Sequence, residues 1–263
     1  MVFRSLIAGS ITCACMVLAH PPMVAAQDPF EVEVYPYETA GPGEWELETH
    51  FNYAARGTQL PDGTVAASDD QVHLTAEVTR GLTRNWEVAG YVMTAYRSDA
   101  GLELAGWRAR TRVHVPKRAG LPVDLGLNVE FSVMRPSYNH SSAVVEFAPT
   151  LEKRFGRFQV DLNASFGRDL NGPEADAGWE FEPSGRIGVD VSERVTLVME
   201  YFGGLGHLWD LSPAREQVHQ FYPGVELRLG DDFTWNMGVG IGATSAGNKL
   251  VFKSAIEVPL RER

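Results

Sequence analysis

The sequence predicts an all-β fold: a single up-and-down antiparallel transmembrane β-barrel of about 12 strands, with short periplasmic turns and longer extracellular loops. Three observations predict it. From Trp45 onward the chain alternates apolar and polar residues with period two over long stretches. Tight turns and longer polar loops succeed one another between those stretches. The polar faces are also too charged to line a dry core. Arg108, Arg110, Arg112 and His114 share one face of one stretch, and Glu44, Glu46 and Glu48 share a face of another, so the apolar faces must point outward.

Composition limits the alternatives. Of 263 residues, 44% are hydrophobic and 22% charged, which excludes a disordered chain. No stretch after residue 26 offers the roughly 20 apolar residues of a spanning helix. The 23 Lys+Arg against 34 Asp+Glu give a net charge of −11, which argues against nucleic acid as a partner because phosphate binding needs clustered bases. The 26 glycines and 10% aromatic residues favour strands and tight turns.

Residues 1–26 are expected to be a secretory signal peptide. Arg4 supplies the positive start, Ser5 to Ala19 is an uncharged run, and Val24-Ala25-Ala26 offers small residues for cleavage near Ala26. Both cysteines, Cys13 and Cys15, lie in this leader, so the exported chain is expected to have neither disulfide nor thiolate. Residues 27–43 are polar and interrupted by Pro36, Gly41 and Pro42; a periplasmic N-terminal tail or a partial plug is expected there, with a short strand folded into the barrel as the alternative reading of the same segment. The barrel then occupies 44–263.

Strands are expected near 44–57, 71–82, 85–97, 106–117, 123–135, 142–155, 157–169, 179–192, 194–205, 217–230, 232–243 and 249–260. The first sets Trp45, Leu47, Thr49, Phe51 and Tyr53 against Glu46, Glu48, His50 and Asn52; the fifth sets Leu125, Leu127, Val129 and Phe131 against Gly126, Asn128 and Glu130. Runs of about 12 to 14 residues suit a tilted membrane crossing better than the usual soluble strand. Thr83-Arg84, Gly156, Ser192-Glu193 and Asp231 mark tight turns, while 58–70, 98–105, 136–141, 170–178, 206–216 and 244–248 read as long loops. Trp45, Trp86 and Trp235 open strands on the short-turn side, and Trp107 and Trp179 on the long-loop side, which predicts two interfacial girdles. Pro149, Pro183 and Pro223, each in a Phe-x-Pro, fall within strands, where a missing N–H predicts bulges.

The expected lumen lining includes Arg108, Arg110, Arg112, His114, Glu44, Glu46, Glu48, Glu130, Glu180 and Glu182. The arginine ladder reads either as a lattice with Glu87, Asp124 and Glu130 or as a basic stripe that holds anionic or zwitterionic solutes. His140-Ser141-Ser142 puts a His near a Ser in a long loop, as a lipid-acting enzyme would need. His50 and His73 read as ordinary polar lumen groups; no metal site and no cofactor is expected.

The block DPFEVEVYPYETAGPGEWELETHFNY (28–53), the hairpins after it and the recurring Phe-x-Pro resemble bacterial outer-membrane β-barrels classed as transporters and linked by name to a phenol-degradation pathway. The resemblance covers most of the chain after the leader and implies a barrel without a settled substrate. Its departure is the C-terminus: many such barrels end in an aromatic residue read by the assembly machinery, whereas this chain ends Pro259-Leu260-Arg261-Glu262-Arg263.

The function expected is a passive channel or transporter for an unknown small solute in the outer membrane, with membrane lipid and the barrel-assembly machinery as partners. A non-conducting structural or adhesive barrel is the alternative, and a lipid-modifying barrel enzyme the third reading.

Overall fold

Twelve antiparallel strands close on themselves: β1 (Trp45–Arg56), β2 (Gln71–Thr83), β3 (Trp86–Arg97), β4 (Gly101–His114), β5 (Asp124–Met134), β6 (Ala143–Phe155), β7 (Phe158–Asp169), β8 (Glu180–Ser192), β9 (Val195–Gly204), β10 (Val218–Arg228), β11 (Thr234–Gly242) and β12 (Leu250–Leu260). The structure is a computed structural model that describes residues 28–230 and 233–260; the expected leader and the Asp231 turn lie outside the described residues. Every strand pairs with its neighbours in sequence, and β1 seals the ring against β12 from Trp45↔Leu260 to Arg56↔Leu250. Closure leaves no strand edge unpaired, which is what a sheet surrounded by hydrocarbon requires.

The faces are inverted relative to a soluble protein. Phe51, Leu74, Val92, Phe131, Leu162, Leu197 and Ile241 are exposed on the outside, whereas His50, Glu77, Arg110, Asn128, Glu130, Asp161 and Glu200 are buried within. Period two does this mechanically, since successive side chains leave opposite sides of a strand.

One strand breaks the period and explains a mis-set boundary. β4 begins at Gly101, well before the expected 106. Met93 pairs with Gly106 but Thr94 pairs with Leu104, so Ala105 is an extra residue, a bulge. Leu102 and Leu104 face outward before the bulge and Trp107 after it, so the apolar phase flips from even to odd numbers and hides the first part of the strand. Gly106 fits because a Cβ there would lie 2.3 Å from the Val133 carbonyl. As a result the expected long loop 98–105 contracts to 98–100, and the connection between β4 and β5 becomes the longer 115–123, with a 3-10 turn at Lys117–Ala119. The regular succession of short and long connections therefore fails at this hairpin.

The prolines do not make bulges. β5–β6, β7–β8 and β9–β10 keep one register through Pro149, Pro183 and Pro223. A strand residue bonds to only one neighbour, so proline weakens one ladder and spares the other. The ladders β6–β7 and β10–β11 skip residues 148–149 and 222–223 and resume in the same register. Register shifts occur instead at Ala54/Arg56, Gly81/Thr83, Met93/Thr94 and Asp190/Ser192.

Candidate functional site: a strapped lumen

Residues 28–40 thread the barrel interior as an extended strap without regular secondary structure. Phe30, Val32, Val34, Tyr35, Tyr37 and Ala40 are buried. Because the strap forms no ladder, wall side chains must satisfy its backbone groups. Tyr35 N donates to Asn163 Oδ1 (2.7 Å), and Asn163 Nδ2 donates to the Tyr35 carbonyl (3.1 Å), a two-point clamp from β7. Glu152 accepts from Tyr37 N (3.2 Å), Glu87 from Ala40 N (2.7 Å), and Lys253 Nζ donates to the Val32 carbonyl (3.1 Å). Asn52 Nδ2 reaches the Pro29 carbonyl (3.0 Å), and the Tyr37 hydroxyl donates to the Val115 carbonyl (2.7 Å). Two apolar clusters, Phe30 with Met93, Ala95 and Ala105, and Val32 and Val34 with Phe202, Tyr222 and Val251, seat it further.

The arginine ladder meets this strap. Arg108 Nη1 lies 2.6 Å from Glu31 and 3.1 Å from Glu130, its Nε donates to Ser132 (2.8 Å), and Nη2 pairs with Asp28. Arg110 pairs with Glu77 and with Glu87 (3.1 Å). Arg112 lies 3.5 Å from Glu87 and donates to the Glu38 carbonyl (3.3 Å). Arg108 and Arg110 sit over the Tyr91 ring, each 5.5 Å from its centre, and the Tyr91 hydroxyl holds Glu31 (3.2 Å). All three arginines are buried. Asp124, the third expected lattice acid, pairs with Lys117 instead (3.8 Å). His114 stacks on Tyr37 at 4.3 Å and contacts its carbonyl through Nδ1 (3.0 Å).

The strap separates two cavities. One, of about 590 Å³, opens towards the short turns and is lined by strap residues between Val32 and Ala40 and by the wall; its twelve carboxylates, Glu33, Glu38, Glu46 and Glu48 among them, stand against six Lys or Arg side chains. The other, of about 320 Å³, lies under the long loops and touches Asp28 to Phe30; eight carboxylates line it, including Glu130, Glu180 and Glu182, against two arginines. Both chambers are therefore acidic.

Two expected positions differ, Glu44 and Trp107. Glu44 is exposed and precedes β1; its Oε2 accepts from Gly41 N (2.9 Å), so it closes the turn at the strap's end instead of lining the lumen. Trp107 lies mid-strand between Val92 and Val133, not at a strand opening, because the bulge extends β4 backwards, and its ring is tilted against Phe131 (5.9 Å). Trp179 lies just before β8, against Phe147 (5.6 Å). Trp45 sits under Arg80 (4.6 Å), Trp86 donates to Thr111 Oγ1 (2.7 Å), and Trp235 donates to Ser254 Oγ (2.8 Å), all near the short-turn end. In the loop before β6, Ser141 Oγ bonds to the Ala143 carbonyl (2.6 Å) and Asn171 (2.9 Å), while His140 turns to Asp62 (3.3 Å).

No family model and no curated protein matches the chain. Solved structures do share its fold. The KdgM porin aligns with a TM-score of 0.52 at 7% identity over 82% of this chain and 99% of its own, and its complex with disordered oligogalacturonate aligns at 0.51 and 7% with the same coverage. The NanC porin aligns at 0.54 and 6% over 83% of this chain and 100% of its own. The chain thus shares the closed β-barrel fold of these porins.

Proposed function

We propose that the protein is an outer-membrane channel for small solutes and that residues 28–43 are its internal plug. The observation that carries this is a charged lumen split into two acidic cavities by a strap held through side-chain hydrogen bonds and ion pairs, without a β-ladder. The apolar exterior supports a lipid setting, because a continuous exposed band around a barrel is stable only when hydrocarbon covers it. The acid excess favours cationic or neutral solutes over the anions a free arginine stripe would select, since carboxylates already engage the ladder. The resemblance of 28–53 to the phenol-pathway-linked barrels accords with a transport role and assigns no solute.

Planar-bilayer conductance tests this. Val32 and Val251 share a buried cluster, and the chain after the leader has no cysteine of its own, so Val32→Cys with Val251→Cys locks the strap when oxidised. The oxidised pair is expected to be nearly silent, and reduction or deletion of 28–40 to raise conductance with a preference for cations. A deletion variant that folds, shifts on heating in a gel and conducts nothing would replace the channel reading with the non-conducting structural barrel.

A further inference from the structure

Across β2, β1 and β12, three glutamates stand in one row: Glu48 is directly opposite Glu77 on one side and Glu257 on the other. Like charges in register destabilise a sheet unless something positive lies between them. Above the row, on the same face of β1, is His50, only 2% exposed. Its Nε2 lies 3.7 Å from Glu48 Oε1 and 3.9 Å from Glu77 Oε2, too far for hydrogen bonds. Glu77 has committed its Oε1 to Arg110 and Thr79, while its Oε2 is buried with no hydrogen-bond partner. His50 Nε2 and Glu33 Oε2 are likewise buried and unpartnered. Donor atoms of Glu48, His50 and Glu77 all lie within 4.8 Å of one another, and so do those of Glu31, Glu33 and His50. Among the described residues, Arg110 is the arginine that pairs with this row, through Glu77.

We propose that Glu48, His50 and Glu77 bind a divalent first-row metal ion such as Zn²⁺. Two donors on a tetrahedral ion at about 2.0–2.1 Å lie roughly 3.3 Å apart, so the observed gaps close on an ion with small side-chain movements. One imidazole among carboxylates is a mixed N/O set that suits such a metal better than the all-oxygen shell of Ca²⁺. The ion would neutralise the glutamate row and tie β1 to β2. This site stands on its own geometry and holds whether or not the barrel conducts.

The test is Zn²⁺ binding by the purified full-length barrel. The protein is stripped with chelator, refolded with and without Zn²⁺ so that access is not limiting, and assayed by calorimetry and metal analysis. About one equivalent is expected, not displaced by millimolar Ca²⁺. Loss of at least tenfold in affinity is expected for His50→Gln and for Glu48→Gln, and no change for His140→Gln, which is distant from the cluster. Should His50→Gln fail to fold, X-ray absorption of the Co²⁺-loaded wild type gives the answer, with imidazole scattering expected in the first shell. No retained metal, equal affinity in His50→Gln, or an oxygen-only shell would overturn the proposal.

Discussion

Replacing Arg108 by Gln probes the junction between strap and wall. The guanidinium contacts Glu31 at 2.6 Å, Glu130 at 3.1 Å and Asp28 as well, and the first two carboxylates are buried. Removing one member of a buried ion pair costs about 3–5 kcal/mol, because the carboxylates left behind have neither water nor counter-charge. The lost bond to Ser132 Oγ adds about 1 kcal/mol. The strap can lower this by undocking, which carries Glu31 and Asp28 away and leaves Glu130 alone. Denaturant unfolding in lipid vesicles, followed by tryptophan fluorescence, should therefore show a loss of about 3–5 kcal/mol in Arg108→Gln. In the double variant with Glu31→Gln the penalties should fail to add, with a coupling of about 0.5–3 kcal/mol. The effect should persist in high salt, since buried pairs are poorly screened. A loss below about 1 kcal/mol that adds with that of Glu31→Gln would refute the reasoning, because surface ion pairs behave that way.

Two further substitutions test the wall. Val92, 53% exposed on the outer face and paired with Ala76 and Trp107, should cost about 2–4 kcal/mol when changed to Arg, whereas Leu60→Arg, in a loop and 75% exposed, should fall within about 0.5 kcal/mol in the same unfolding assay. Equal damage from both would place Val92 away from hydrocarbon. Gly106→Ala should cost about 1–3 kcal/mol through the clash with the Val133 carbonyl, while Gly90→Ala, whose Cβ meets nothing within 4 Å, should be nearly neutral; similar values for the pair would remove the bulge as the reason for Gly106.

The barrel was legible because period two repeats in strand after strand, and a strand that keeps it resolves on its own. Phe51 outside and Asn52 inside need no knowledge of any other strand. Ala105 shows the limit of that reasoning: one added residue reverses the phase of Leu102 and Leu104 relative to Trp107, and a local pattern cannot tell a reversed phase from a loop. The strap was harder for a different reason. Glu31, Tyr35 and Tyr37 are placed by Arg108, Asn163 and Glu152, which come from three distant strands, and no periodicity records such side-chain-to-backbone bonds. Asn163 gave no signal of its own, being one polar residue among many on an inward face. In sequence the segment is interrupted by Pro36, Gly41 and Pro42 and suits a periplasmic tail as well as a plug.

The charges of the strap and of β4 account for each other. Between residues 28 and 43 the chain carries Asp28, Glu31, Glu33 and Glu38 and no lysine or arginine, and β4 presents Arg108, Arg110 and Arg112 on one inward face. Three guanidiniums along one strand repel unless acids intervene, and the wall alone offers them Glu77, Glu87 and Glu130. Asp28 and Glu31 complete the compensation at Arg108, so docking is favoured by relief of wall repulsion as well as by new contacts. A cost follows on the other wall, where Glu33 is added to a row that already holds Glu48, Glu77 and Glu257. The strap therefore sits between acid-binding arginines on one side and a row of acids on the other, a balance that suits the proposed plug, which would leave without unfolding the barrel. Undocking would expose Arg108 to the passage and remove four acids from it, so an open lumen selects cations less strongly than the acid-lined cavities of the closed one suggest.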